Sequence, residues 1–104
     1  MLTYTSINDE QLNLEADKCV VHFIKGAIIA RKRREISQKK LASMSGITPA
    51  YMTQIEKSID PNRATKEISS QLMFKIASSL QCSVDMLILY GRHYDYSMNF
   101  LNSK

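Results

Sequence analysis

Residues 37–57 have the sequence SQKKLASMSGITPAYMTQIEK, which carries the clearest local structural signals of the chain. Ser37 and Thr48 each precede a helical pattern, and both residue types favour the cap before a first helical turn. Pro49 suits the first position of the second helix, where no backbone amide hydrogen is needed. Gly46 suits the left-handed residue that closes the first helix. The stretch therefore predicts two short helices joined by a tight turn.

The side chains of these two helices divide into an inward and an outward set. We expect the inward set to hold the helices together, with Ala42 small where they cross; its members are Leu41, Ala42, Met44, Ile47, Met52 and Ile55. The outward set on the second helix is Pro49, Ala50, Thr53 and Gln54. An ordinary helical hairpin shares some of these features. Two caps, a small residue, a turn glycine and apolar contacts together favour a helix-turn-helix that presents its second helix to a ligand.

The rest of the chain also predicts helices and no sheet. A helical pattern runs from about Leu14 to Arg31, and a later one has four-residue spacing and begins near Thr65 or Ser69. Ser83 caps a last helix that Gly91 is expected to end. Residues 1–12 suit an arm, a short strand or a first helical turn. The fold class is therefore all-α, with five short helices.

The length and composition predict one domain with flanking segments. A chain of 104 residues with 44% hydrophobic residues can bury one modest core. We divide it into an N-terminal extension (1–20), a domain that contains the helix-turn-helix (21–91) and a C-terminal tail (92–104). The tail carries aromatic residues, which suit either a partner or twin subunit, or packing on their own domain.

The charge of the chain is concentrated in its middle. Residues 25–75 carry eleven basic against four acidic side chains, a net charge of +7, whereas residues 1–24 carry −3 and residues 76–104 balance at zero. A basic centre is typical of a phosphate-binding face, and a solvated helix surface explains it equally well. No apolar run suits a bilayer and no signal sequence precedes the domain, so we expect a cytoplasmic protein with no membrane contact.

Metal binding and catalysis find little support in the sequence. Cys19 and His22 have a C-x-x-H spacing, but no second pair of ligands lies nearby, so we expect neither a metal nor a cofactor. Cys82 and His93 are likewise interpreted as structural or surface residues. There are no paired carboxylates, no nucleophile with a base and no phosphate-cradling glycine loop, and we expect no enzyme activity.

The run from Ser37 to Lys57, above all 46–57 (GITPAYMTQIEK), closely resembles the Cro/repressor-type, or Xre-like, helix-turn-helix regulators. The resemblance extends over about residues 24–90. It implies a compact five-helix repressor-like domain that binds double-stranded DNA. It also implies an internal ion pair between Arg31 and Glu56, which ties the first helix to the third.

The resemblance implies a set of DNA-contacting positions. Ser37 and Gln38 match phosphate contacts through side chain and backbone amides, and Thr48 matches another. The positions that match the face toward the major groove are Pro49, Ala50, Tyr51, Thr53 and Gln54. By its chemistry, Gln54 is the most informative, because it offers a donor and an acceptor together to adenine.

The other positions are less specific. Thr53 can bond a base edge or press its methyl group on thymine, and Tyr51 suits a phosphate or packing contact better than a base. Lys57 and Arg63, with Lys39 and Lys40, are phosphate partners that position the protein; for each lysine a solvated charge fits as well.

Two departures from the family pattern stand out. The family usually has a glycine after the position of Lys57, where this chain has Ser58, and the connection to the next helix is longer here. That connection can reach along the DNA backbone through Arg63 and Lys66, or alter a dimer contact. The N-terminal extension is the second departure.

The function that follows is a transcriptional regulator, favoured as a repressor that binds a palindromic operator as a homodimer. The alternative is an antitoxin, or a phage or mobile-element regulator, that holds a protein partner through its tail or N-terminal extension.

Overall fold

The computed structural model describes the backbone of residues 9–64 and 66–93, with side chains from residue 18 onward in those ranges. It contains five helices and, within those ranges, no strand: α1 (Asp9–Arg33), α2 (Gln38–Ser45), α3 (Pro49–Lys57), α4 (Ser70–Ser79) and α5 (Val84–Arg92). The predicted all-α fold of five helices is confirmed. The predictions for the first residues of the arm and for most of the tail lie outside the described residues.

Helix α1 starts earlier than its sequence pattern indicated. It begins at Asp9 rather than near Leu14 and runs without a break through residue 20. Residue 20 is the predicted boundary between extension and domain, and the division of the chain into three parts stays a prediction.

Serine and threonine caps set where four of the helices begin. The Ser37 hydroxyl accepts a hydrogen bond from the Lys40 amide at 3.0 Å, and the Thr48 hydroxyl accepts one from the Tyr51 amide at 3.1 Å. Ser69 and Ser83 do the same for α4 and α5. Each cap satisfies an amide that has no partner within its helix. The contact of Ser69 places the start of α4 at the later of the two expected positions.

All five helices contribute buried side chains to the core; α1 packs most extensively against α5, whereas α2 packs mainly against α3 and α4. The fully buried large side chains of the core include Phe23, Ile24, Leu41, Met52, Ile76, Leu80 and Leu87. The prediction that Met44 points inward was wrong, since 47% of its surface is exposed. Ser45 is buried in its place because it lies one turn after Leu41 and completes the inward face of α2.

Two glycines allow α1 and α5 to approach closely. A Cβ atom on Gly26 would overlap the backbone carbonyl of Leu87, and one on Gly91 would overlap the carbonyl of His22. The expectation that Gly91 ends α5 was wrong, because the helix continues through it to Arg92. Gly91 is needed for helix contact rather than for a turn.

Gly26→Ala is expected to lower the free energy of unfolding by about 1–3 kcal/mol, because the new methyl group meets backbone that cannot rotate away. Equilibrium urea unfolding measures the change. The sign of this change distinguishes the two effects, because helix propensity alone would favour alanine over glycine by about 1 kcal/mol in a helix interior. A variant more stable than the wild type would contradict the close contact of α1 with α5.

The described residues contain no metal site, and no single helix among them is long and apolar enough to cross a bilayer. Helices α4 and α5 have the length and apolar composition of a membrane span only when they are taken together, and they are bent by 85° where they meet.

Cys19 is exposed. Burial lowers the pKa of His22, the nearby charges of Lys25, Arg92 and Lys18 lower it further, and a backbone hydrogen bond at Gly91 opposes them.

Candidate nucleic-acid interface

Helix α3 has one face in the core and the other at the surface. Met52 and Ile55 are 2% and 3% exposed and anchor the helix. On the opposite face Pro49, Ala50 and Gln54 are exposed, as the sequence predicts. Two further residues of the candidate groove-facing set are half-buried, namely Tyr51 and Thr53. The helix therefore presents a narrow polar and apolar strip on a rigid support.

A mostly buried ion pair fixes the position of α3 against α1. Arg31 donates from Nε to Glu56 Oε2 at 2.8 Å and from Nη2 to Oε1 at 2.9 Å, and the two side chains are only 12% and 10% exposed. A third donor, Nη1, bonds the carbonyl of Ile36 at 2.9 Å. The ion pair that the family resemblance implied is present. Its planar, two-bond geometry holds the angle between the helices as well as their distance.

Gln38 extends this network from α2 to the outward face of α3. Its Nε2 donates to Glu56 Oε1 at 2.8 Å, and its Oε1 accepts from the Thr53 hydroxyl at 3.2 Å. The Thr53 hydroxyl also lies 3.0 Å from the carbonyl of Pro49, and its one hydrogen can serve only one of these acceptors at a time. The amide side chain of Gln38 is thus engaged within the protein, while the backbone amides at the start of α2 have no acceptor within the helix.

A family model described as helix-turn-helix matches residues 29–87, which is more than half of the chain and contains α2, α3 and α4 entirely. The chain belongs to the Cro/C1-type helix-turn-helix family. No curated protein and no solved structure is a significant match to it. The family consists of DNA-binding regulators, so membership assigns the chain to DNA binding and makes α3 its recognition helix.

The starts of α2 and of the recognition helix supply candidate phosphate contacts. Ser37 and Thr48 are exposed at these two positions. Each hydroxyl oxygen accepts a hydrogen bond from its own helix, which leaves the hydroxyl hydrogen able to donate to a phosphate oxygen. Helix N-termini also attract anions through their amides and dipole.

Ser58 replaces the usual family glycine without strain. Its φ is −70°, in the right-handed region, so no positive φ is required at this position. The side chain is buried, and its hydroxyl donates to the carbonyl of Ile55 at 2.6 Å. The Ser58 amide also donates to this carbonyl at 3.1 Å, so both the hydroxyl and the backbone of Ser58 close the end of the recognition helix.

The long connection after the recognition helix is held close to it. Ile59 and Ile68 pack on the core at its two ends. Between them, the Asp60 carboxylate accepts from the Asn62 amide at 2.9 Å, and the Arg63 amide donates to the Asp60 carbonyl at 2.9 Å, which forms a compact turn. The connection is therefore a folded turn that is anchored to the core at both ends and exposed at residues 60–64.

A cleft of about 440 Å³ separates this connection from the recognition helix. Gln54 and Thr53 line one wall, and Lys57, Arg63 and Lys66 supply positive charge around it. Lys57 and Arg63, both predicted phosphate contacts, are exposed there. From the sequence, the connection is expected either to reach along the DNA backbone through Arg63 and Lys66 or to alter a dimer contact. In the structure, Lys66 Nζ lies 3.3 Å from Gln54 Oε1, on the exposed face of α3. No pattern in the sequence indicates this contact, because it depends on the path of the connection.

Proposed function

We propose that this chain is a cytoplasmic transcriptional repressor that binds a palindromic operator as a homodimer. The observation that carries the proposal is the outward face of the recognition helix, where Ala50 and Gln54 are exposed on a helix locked by Arg31 and Glu56. A rigid reading helix is what base recognition in the major groove requires, because a donor or acceptor displaced by an ångström loses its partner.

The size of the reading face supports a dimer. One recognition helix with few base-reading side chains discriminates only a short half-site, so useful selectivity needs two. Helix α5 offers an apolar surface for a second copy: Met86 and Leu89, one turn apart, are 45% and 52% exposed. In a twofold dimer the two recognition helices would read half-sites about 34 Å apart.

Selection of bound sequences from random duplex DNA tests the proposal. We expect an enriched palindrome with half-sites about one helical turn apart, and two protomers on each enriched duplex by analytical ultracentrifugation. One protomer per site would contradict the homodimer. A complex that forms only with a second, co-expressed protein would favour instead the antitoxin or mobile-element role.

Gln54→Ala is expected to weaken binding by about 1–3 kcal/mol, and to do so at one base-pair position of each half-site. The loss arises because a side chain that bonds one base edge is removed while the phosphate contacts remain. Affinities for the enriched site and for its single-base variants measure the effect. An equal loss on all sequences would show that Gln54 does not read a base.

A further inference from the structure

Lys66 reaches from the connection after the recognition helix to the face that reads DNA. Its Nζ lies 3.3 Å from Gln54 Oε1 and 5.5 Å from the centroid of the Tyr51 ring. Residues 51 and 54 are one helical turn apart, so the ammonium group lies beside two neighbouring groove-facing positions. The aromatic face attracts the cation and helps to retain it there.

The ammonium group fixes the orientation of the Gln54 amide. Lysine has only donors, so the atom of the amide that faces it must be the oxygen. Rotating the amide by half a turn would set its NH₂ group against the ammonium and lose the hydrogen bond. Gln54 is therefore held with Oε1 toward Lys66 and Nε2 away from it.

This orientation changes what Gln54 offers to a base. Oε1 keeps a second lone pair, but the groups beside it are the amide N–H groups of Gln54 and the two remaining N–H groups of Lys66, so donors outnumber acceptors at this position. Guanine offers two acceptors, N7 and O6, in the major groove. Adenine offers one acceptor and one amino group, and that amino group would face an ammonium group that cannot accept its hydrogen bond.

We propose that Lys66 is a specificity-determining residue, which together with Gln54 selects guanine rather than adenine at the Gln54 position of each half-site. The inference rests on the proposed function, in which Gln54 reads a base. It replaces the adenine preference that Gln54 alone would have. It also gives the long connection a role in sequence recognition beyond phosphate contact.

The test uses the full chain and four duplexes that differ only at one base pair, the position where Gln54→Ala loses discrimination. The wild type is expected to bind the guanine duplex about tenfold more tightly than the adenine duplex. Lys66→Met keeps the length of the side chain and removes the donors, so this preference should disappear or reverse. Lys57→Met is the matched control: it removes a charge from the same cleft and should weaken all four duplexes equally.

Circular dichroism and thermal unfolding confirm that each variant is folded before affinities are compared. Equal weakening of all four duplexes by Lys66→Met would overturn the inference, and so would a wild type that prefers adenine at this position. In both cases DNA binding itself stands. A wild-type chain that binds no duplex would overturn the proposed function, and the inference with it.

Discussion

Arg31→Met is expected to lower the free energy of unfolding by about 3–5 kcal/mol. The substitution leaves the Glu56 carboxylate, 10% exposed, with Gln38 Nε2 as its remaining donor among the contacts described above. It also removes the donor to the Ile36 carbonyl in the turn that leads into α2. The cost is that of an uncompensated charge in a site largely closed to water, which exceeds the loss of an exposed ion pair.

Chemical denaturation of the variant and of a matched control measures this effect. Arg33→Met makes the same substitution two residues further along α1, at an exposed side chain, and should cost less than about 1 kcal/mol. Replacing Glu56 with leucine in the Arg31→Met background should recover much of the loss, because no buried charge then remains unpaired. Equal losses for Arg31→Met and Arg33→Met would contradict the structural role of the pair.

The elements around the recognition helix could be predicted from sequence because their signals are local. Ser37, Thr48 and Pro49 act within three residues of themselves, through caps and a fixed φ. Gly46 has a φ of 75°, a left-handed conformation that glycine adopts without cost. The bounds of α2 and α3 therefore follow from the chain itself.

Features that depend on how the helices pack could not be predicted from the sequence in the same way. A glycine at position 91 suggests a helix end, but in the folded structure Gly91 is needed because α1 approaches α5 closely at this point. Conversely, Glu35 and Gln81 adopt left-handed φ values of 56° and 55° in the connections after α1 and α4, where no glycine gives a signal. Met44 was misplaced because apolar character does not distinguish the inward face of an eight-residue helix from its edge.

The candidate site likewise has features that could be predicted from the sequence and others that could not. The exposure of Pro49, Ala50 and Gln54 follows from helical periodicity alone. The hydrogen bond that Gln38 donates to Glu56 and the one that it accepts from Thr53 cannot be predicted in this way, since they join side chains 18 and 15 residues apart. A resemblance to a family supplies positions, but which groups are already engaged within the protein depends on the folded structure.

The affinity for DNA is expected to fall steeply with salt. The exposed cations beside the two helix starts and the cleft are Lys39, Lys40, Lys57 and Arg63. If about three of them on each protomer neutralise phosphates, a dimer makes about six contacts, and log K should fall against log salt with a slope near −5. Raising salt from about 50 to 200 mM then weakens binding by about 10³-fold, because each counterion released into a more concentrated salt solution gains less entropy. Lys57→Met should flatten the slope by about two in the dimer, one contact per protomer.

The salt titration of the full chain on its selected duplex, followed by fluorescence anisotropy, tests DNA binding by this domain most directly. A slope near −5, reduced in Lys57→Met, is the result that a recognition helix flanked by phosphate-binding cations predicts. A flat response would mean that no phosphates are neutralised, and would contradict the assignment of this surface to DNA.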